Sequence, residues 1–317
     1  MDVPLGSRES TDPHPGPDRH PGRDPGVRGP GRGRGVVTAL VGATGNQLGA
    51  GVGASAFAAI GPAGVVAVRQ VVAAAVLLPL ARPALRRMGW SQWWPVLLLA
   101  VVFAGMNLAL YTAVDRVGLA LAVTLEFLGP LVLALVTSRT RRHLLIAVAA
   151  AAGVYVLVLP GPSSDVGGIA VGLVAGACWA AYIVLNRTAG ARLPGVQAPA
   201  LASGVCAVGY LPVLVVLTVD GRWDGATLTR ALLTGVLSSV LPYAADLVAL
   251  RTVPARSFAV LSSTQPALAA LVGLLLLGQG LRAHEWAGIA VISLANVAAL
   301  VTGPRRGGPR PRPAPAR

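Results

Sequence analysis

Charged and metal-binding side chains are scarce in this chain. Only 12% of the 317 residues are charged, and there are two cysteines and four histidines. Cys178 and Cys206 both lie inside apolar stretches, so we expect free thiols rather than a disulfide framework. The histidines lack the spacing of a metal-ligand cluster, so we expect no metal site.

The signatures of an enzyme are also missing. The sequence contains no ATP-binding loop, and no apolar stretch carries a nucleophile together with a base, as hydrolysis inside a membrane would require. We therefore expect neither an enzyme nor a bound cofactor.

Apolar residues are abundant instead. They make up 54% of the chain, and the mean hydropathy is +0.68, which is too apolar for an ordinary soluble domain. The pattern predicts an all-α membrane protein with ten transmembrane helices, each long enough to cross the hydrocarbon core at about 1.5 Å per residue. The predicted spans are 36–57, 64–81, 95–114, 117–137, 144–160, 167–186, 199–219, 231–250, 254–277 and 284–302.

All 26 basic residues are arginines, and their positions argue against nucleic-acid binding. With the N-terminus in the cytoplasm, 21 of them fall in the tails and connections on that side, and four fall on the other. The positive-inside rule therefore places both termini in the cytoplasm of a bacterial inner membrane. The remaining one, Arg69, lies inside the second span.

The two ends of the chain differ from its apolar centre. Residues 1–35 are rich in proline, glycine and arginine, and residues 303–317 are rich in proline and arginine. We expect both to be disordered cytoplasmic tails. The centre divides into two five-helix units, 36–160 and 167–302.

A carboxylate lies beside a helix break in the fourth span. Glu126 is the only charge between residues 117 and 137, and Gly129-Pro130 follows within one helical turn. A charge at the bilayer centre costs about 2.5–3.5 kcal/mol, so it indicates a pathway or a partner. Gln265-Pro266 repeats the polar break 136 residues later. Both polar residues lie about 14–17 Å deep, so they can share one layer.

Glycine ladders support an internal repeat. The first and sixth spans each carry glycines at a spacing of four, which we interpret mainly as close helix packing. Because each unit has five spans, the second unit enters the membrane with the opposite orientation, which predicts inverted repeats around a site near the midplane. The ladders are Gly45, Gly49, Gly53 and Gly168, Gly172, Gly176.

Several motifs resemble one family. They are Gln47-Leu-Gly-Ala50 with Arg69, the stretch 119–139 (LALAVTLEFLGPLVLALVTSR), Leu241-Pro-Tyr243, and residues 254–273. Together they resemble the EamA family of the drug/metabolite transporter superfamily and, within it, the bacterial threonine/homoserine exporters. The resemblance covers about residues 36–302 and implies export of amino acids.

The chain departs from that family pattern at four positions. Ala54 stands where the pattern has a lysine, and Asp246, Gln265 and Gln279 stand where it has glutamates. A neutral group in place of a charged ligand forfeits roughly 1.5–3 kcal/mol of charge-assisted hydrogen bonding. The resemblance therefore implies a small zwitterionic substrate other than simple threonine.

Polar and aromatic side chains inside the spans are the candidates for a substrate and proton pathway. The long side chain of Arg69 can form an ion pair with Glu126, either as part of the pathway or as a structural pair. Aromatic faces can hold an ammonium group. The candidates are Glu126, Arg69, Gln265, Asn107, Gln47, Tyr111, Trp179, Tyr182, Tyr243 and Asp246, with helix breaks at Gly129, Pro130 and Pro266.

These observations predict an inner-membrane exporter of small metabolites, with amino acids foremost, driven by inward proton movement through alternating access. The expected partners are a small-molecule substrate, protons and the lipid bilayer, with a homodimer left open. Two alternatives remain at this point. One is efflux of drugs, nucleosides or other amphiphiles, and the other is a membrane scaffold or lipid-binding protein that transports nothing.

Overall fold

The computed structural model describes residues 30–136, 141–159, 164–253 and 255–302. Within these ranges, residues 30–32, 246–248, 250–252, 255, 256, 259 and 302 are described by their backbone alone. The predicted tails 1–29 and 303–317 lie outside the described residues.

The described part of the chain is helical and contains no strand. A short 3₁₀ helix occupies Leu85–Arg87, and a π-helical turn occupies Val236–Val240. The α-helices are α1 Pro30–Ala54, α2 Phe57–Ala81, α3 Trp90–Val117, α4 Leu119–Glu126, α5 Leu128–Val136, α6 Arg141–Val158, α7 Val166–Gly190, α8 Gln197–Gly209, α9 Leu211–Val219, α10 Gly225–Gly235, α11 Leu241–Thr252, α12 Ala255–Ser262, α13 Gln265–Leu277 and α14 Ala283–Thr302.

Nine helical segments among the described residues are long and apolar enough to cross a membrane. Several of them join two of these helices across a break, such as α4 with α5 and α8 with α9. Helix α1 is not among the nine, although its 25 residues pack against α11 and α13. Its glycines and the polar pair Asn46-Gln47 lower its hydropathy. The structure thus supports a multi-pass helical membrane protein and leaves the count of ten spans as a prediction.

Two helices at the N-terminal end begin earlier than the predicted spans. Helix α1 begins at Pro30, so residues 30–35 are helical rather than part of a disordered tail. Proline fits this position because the N–H groups of a first helical turn have no intrahelical acceptor. Helix α2 begins at Phe57, ahead of the predicted residue 64, and is interrupted at Gly61, where φ is 65°. The apolar segment of α2 thus extends through a kink at Gly61, which the hydropathy pattern of the sequence did not indicate.

The two glycine ladders lie in helix contacts, which confirms the packing interpretation. A Cβ added at Gly53 would meet Thr234 at 3.0 Å, and one added at Gly172 would meet Leu125 at 2.8 Å. Helix α1 packs along α10 and α11, and α7 packs along α3, α4 and α5. The ladders therefore let α1 and α7 approach their neighbouring helices closely.

The largest buried apolar cluster lies towards one end of the bundle. It includes Ala56 and Ile60 at the α1–α2 turn, and Ala113, Val114 and Leu119 at the α3–α4 turn. These turns are at the same end because α1 to α4 cross the bundle in alternating directions. We call this end the packed end, and the charge pattern of the sequence predicts that it faces the outside.

Candidate functional site

A cavity of about 260 Å³ lies inside the bundle, between α1, α2, α3, α4, α7, α11, α12 and the start of α13. Nine of the ten predicted pathway residues line it: Gln47, Arg69, Asn107, Tyr111, Glu126, Trp179, Tyr182, Tyr243 and Gln265. The tenth, Asp246, lies on α11, but its side chain is outside the described residues. The structure therefore brings together side chains from both halves of the chain, while their role in transport stays a prediction.

Glu126 lies at the C-terminal end of α4, where the helix breaks before α5. Pro130 has no N–H to donate to the carbonyl four residues earlier, which is that of Glu126. The side chain is 7% exposed, and no described residue donates a hydrogen bond to its carboxylate. A buried carboxylate without a donor requires a proton or a cationic ligand.

The break is held in place by a close approach of two backbones. A Cβ at Gly176 of α7 would lie 2.9 Å from the carbonyl oxygen of Leu125 and 3.2 Å from that of Glu126. A Cβ at Gly129 would collide with the Gly176 carbonyl group. Only glycine at both positions lets α7 lie directly against the break that carries Glu126.

Arg69 lies on α2 and binds the neighbouring π-helical turn. Its Nε donates to Ser239 Oγ at 3.0 Å, and its Nη2 donates to the Ser238 carbonyl oxygen at 2.8 Å. That carbonyl is available because the residue four positions later is Pro242, which has no N–H. A weaker contact of 3.5 Å joins Arg69 Nη1 to the Tyr111 hydroxyl, and the guanidinium carbon lies 5.6 Å from the Tyr111 ring centroid.

The predicted ion pair between Arg69 and Glu126 is absent from the described structure. Arg69 is instead satisfied by neutral oxygens of the π-helical turn and by an aromatic ring, which can stabilise a cation without a carboxylate. The two side chains therefore form no direct ion pair, but they line the same cavity and lie close enough for their charges to interact.

Three amide side chains form a cluster on a further wall of the cavity. Gln265 Oε1 accepts hydrogen bonds from Asn46 Nδ2 at 3.1 Å and from Gln47 Nε2 at 2.8 Å. Gln265 is the first residue of α13, just after the second helix break, and Pro266 is the next residue. We call Asn46, Gln47 and Gln265 the amide cluster.

Aromatic side chains also line the cavity, among them Phe103, Trp179 and Tyr182. Phe103 stacks on Tyr182 with centroids 5.5 Å apart, and Trp179 meets Phe127, outside the cavity lining, edge to face at 4.4 Å. Asn107, one turn along α3 from Phe103, donates to the Phe103 carbonyl oxygen at 2.7 Å. Its amide oxygen is thus free to face the cavity, since the nitrogen is engaged in the helix.

Some lining residues were missed by sequence reasoning. Ser238, Phe258 and Ser262 line the cavity, and Ser239 binds Arg69 beside it. The serine pair in an apolar stretch before Leu241-Pro-Tyr243 was a visible signal, but nothing in the pattern indicated a π-helical turn. Asn296, another amide inside a span, donates to the Ile292 carbonyl within α14 and does not line the cavity.

An ion pair at the packed end ties the two halves of the chain together. Arg116 at the end of α3 binds both carboxylate oxygens of Asp165 at 2.8 Å, and Asp165 also caps α7 by accepting from Gly168 N at 2.9 Å. The Arg116 hydrogen bonds, with that of Gly168, lower the pKa of Asp165 to about 2. Nearby, Gln279 Oε1 accepts from Leu119 N at 3.0 Å, which satisfies the start of α4.

Comparison with known proteins identifies the class. Residues 166–301 match the EamA-like transporter family. The chain is 34% identical to the threonine/homoserine exporter RhtA of Salmonella typhimurium over 270 residues, which are 84% of this chain and 91% of that protein. It is 33% identical to RhtA of Escherichia coli K12 over the same shares. The chain therefore belongs to the EamA-like transporter family and is a membrane transporter rather than an enzyme.

Two further comparisons are more distant. An uncharacterised transporter of Bacillus subtilis, YwfM, is 28% identical over 66% of this chain and 74% of its own length. A crystal structure of a protein with 19% identity superposes with a TM-score of 0.55, covering 84% of this chain and 96% of the other. That likeness supports the fold alone.

Proposed function

We propose that this protein exports small amino acids across the bacterial inner membrane in exchange for protons. The observation that carries the proposal is the cavity, which is lined both by a buried carboxylate without a hydrogen-bond donor, Glu126, and by a cation that forms no direct ion pair with it, Arg69. The threonine/homoserine exporters that the chain resembles over 84% of its length support these amino acids as the cargo, in place of the substrate other than threonine that the four departures from the family pattern implied.

The two charges are complementary to a zwitterion. Arg69 uses three of its five N–H groups in the bonds described above, so two donors remain for a substrate carboxylate. Glu126 accepts either a proton or the substrate ammonium group, and the face of Trp179 adds a cation–π surface on the same cavity. Because the proton and the substrate ammonium group compete for the Glu126 carboxylate, binding of the substrate is coupled to release of the proton, and binding of the proton to release of the substrate.

We propose that transport proceeds by alternating access of two inverted five-helix repeats, 36–160 and 167–302. The helix contacts support this arrangement because they are matched between the halves. Helix α1 packs on α11, and α7 correspondingly packs on α3. Helix α1 also packs on α13, and α7 correspondingly packs on α4 and α5. Each pair joins the first helix of one half to the third or fourth span of the other. The breaks at Pro130 and Pro266 fall in the corresponding fourth spans.

Buried apolar packing is extensive at the packed end, where residues of the large cluster such as Ala50 and Val123 form part of the cavity wall. Towards the other end of the bundle the cavity lining extends to Ala39, Tyr243 and Phe258. With both termini in the cytoplasm, this is a state that takes substrate from the cytoplasm, as export requires.

Counterflow in proteoliposomes tests the proposed cargo. Vesicles that contain the purified protein and a high internal concentration of one unlabelled amino acid are placed in a trace of the same labelled amino acid. We expect the label to accumulate transiently for threonine, homoserine or a similar small amino acid. Arg69→Gln should abolish it, whereas Arg222→Gln, which changes an arginine outside the cavity, should not. Counterflow of nucleosides or amphiphilic drugs alone would favour the alternative of drug efflux. Absence of counterflow with every probe would contradict transport of amino acids, nucleosides and drugs alike.

A further inference from the structure

The amide cluster has hydrogen-bonding capacity that the protein leaves unused. Gln47 is 2% exposed and lines the cavity, yet its Oε1 has no hydrogen-bond donor. Gln265 Nε2 donates to no described residue, and the Asn46 side-chain oxygen accepts from none. A buried polar atom without a partner is unusual in a native structure, and a ligand at that place is one explanation.

The unused atoms have a specific chemistry. They comprise a donor, Gln265 Nε2, and two acceptors, the side-chain oxygens of Asn46 and Gln47, and none carries a charge. An ammonium group offers donors only, and a carboxylate offers acceptors only. A hydroxyl group both donates and accepts, so it matches the cluster, and an apolar group of the same size leaves all three atoms unpaired.

We propose that the amide cluster is the subsite that recognises the substrate side chain, and that it selects amino acids whose side chain carries a hydroxyl group. The proposal rests on the proposed function, in which Arg69 and Glu126 hold the two charged groups of the amino acid. Those charges are common to every amino acid and cannot select among them. The neutral cluster is the part of the cavity that distinguishes one side chain from another.

Isosteric substrates separate recognition from size. Threonine and valine differ only by a hydroxyl in place of a methyl group, and homoserine and norvaline differ in the same way. A site that merely fits the shape binds both members of a pair about equally. A site that hydrogen-bonds the hydroxyl rejects the apolar member, because its own polar groups are then buried without partners.

The test is competition against a labelled amino acid that the wild-type protein exchanges in proteoliposomes. For two hydrogen bonds we expect threonine to compete about tenfold or more better than valine, and homoserine better than norvaline. Gln47→Met, which keeps the shape of the side chain, should reduce the threonine-to-valine ratio towards one. The matched control is Gln70→Met, because Gln70 is also buried with an unpaired Oε1 but does not line the cavity.

The outcomes distinguish this proposal from the proposed function. Exchange of amino acids with equal competition by threonine and valine in the wild type overturns the subsite and leaves amino-acid export standing. An unchanged ratio in Gln47→Met, or an equal loss in Gln70→Met, also overturns it. Exchange of no amino acid overturns both. The wild-type ratio decides the question even if Gln47→Met fails to fold.

Discussion

Glu126 is the side chain on which the proposed coupling depends. Its carboxylate is buried beside the cavity, and no described residue satisfies it by an ion pair or a hydrogen bond. A fixed charge in this position would be costly without a function, since apolar packing could replace it. Reversible protonation, or neutralisation by a substrate ammonium group, removes that cost and links the proton to the cargo.

Glu126→Gln should leave the protein folded and inserted but abolish transport driven by a proton gradient. Glutamine has nearly the same shape and cannot carry a proton between the two sides. Glu285→Gln is the matched control, because Glu285 is a half-buried residue at the start of α14, outside the cavity, whose carboxylate accepts from Arg282 N at 2.6 Å. Flux of the Glu126→Gln protein that keeps its normal pH dependence would remove Glu126 from the mechanism.

Asp165 gives the structure a defined sensitivity to acid. Its pKa is lowered to about 2 from an ordinary value of 3.8, mainly by the hydrogen bonds from Arg116. A depressed folded-state pKa contributes stability that is present above about pH 4 and is lost as the pH falls towards 2. We expect the melting temperature in detergent to fall across this window.

Asp165→Asn isolates the charge from the helix cap. Asparagine is as good an N-cap as aspartate and can still accept from Gly168 N, but it does not form the ion pair with Arg116. The variant should melt slightly below the wild type at neutral pH, and the difference should shrink between pH 4 and pH 2. A constant difference over that range would show that the ion pair does not stabilise the fold.

The sequence predicted which residues line the cavity better than it predicted the contacts that these residues make. Polar side chains inside apolar spans are costly in lipid, so they face the interior, and nine of the ten candidates indeed share one cavity. The possible ion pair between Arg69 and Glu126 does not form among the described residues, because depth along a helix does not fix the direction in which a side chain points. The true partners of Arg69, Ser238 and Ser239, depend on a local change to π-helical hydrogen bonding.

The helix breaks position the polar groups by removing backbone donors. Pro130 and Pro266 lie 136 residues apart, and each follows a short helix that ends inside the bundle, α4 or α12. Glu126 lies four residues before Pro130, and Ser262 lies four residues before Pro266. The two halves thus place different side chains at equivalent positions before their prolines. Both Glu126 and Ser262 line the cavity, but only the first half provides the carboxylate.

Gly176→Ala tests the close approach of α7 to the first break. The added methyl group would lie 2.9 Å from the Leu125 carbonyl oxygen, and backbone atoms cannot move aside cheaply. Overpacking of this kind costs about 1–3 kcal/mol, so the melting temperature should fall clearly. Gly209→Ala, near the end of α8 with open space around it, should have little effect. Equal melting temperatures for the two variants would contradict the close contact between α7 and the break.

Element boundaries were predictable only where composition changes sharply. The turns around Gly118 and Gly278 matched the predicted ends of spans, because positive φ values of 85° and 65° favour glycine there. The division between α12 and α13 was indicated by the polar break at Gln265-Pro266, but the kink at Gly61 and the division between α8 and α9 were not visible. Apolar composition continues across those two points, so a hydropathy pattern cannot distinguish a broken helix from a straight one there.

The proposed orientation of the molecule rests on its charge distribution and decides from which side of the membrane the cavity is accessible. The packed end carries Arg116, Arg222, Arg230 and Arg282, and the remaining described arginine-rich connections lie at the other end. The proposal that both termini are cytoplasmic makes the cavity accessible from the cytoplasm. Opposite orientation of the same structure would make it accessible from outside, as an importer requires.

Reporter fusions test this orientation. Green fluorescent protein joined after Arg317 should be fluorescent, because it folds in the cytoplasm, and alkaline phosphatase at the same position should be inactive. Phosphatase inserted in the connection between α9 and α10, at Gly221, should be active. The reverse pattern would place the cavity mouth outside and contradict export.

Proton-coupled amino-acid export is tested most directly by uptake into inverted inner-membrane vesicles, whose lumen corresponds to the outside of the cell. With an acidic lumen and labelled threonine or homoserine outside, vesicles with the wild-type protein should accumulate the label above vesicles without it. A protonophore should abolish the accumulation, and Glu126→Gln vesicles should show none. Accumulation that is the same with and without the protein, or that persists after the proton gradient is collapsed, would contradict the mechanism.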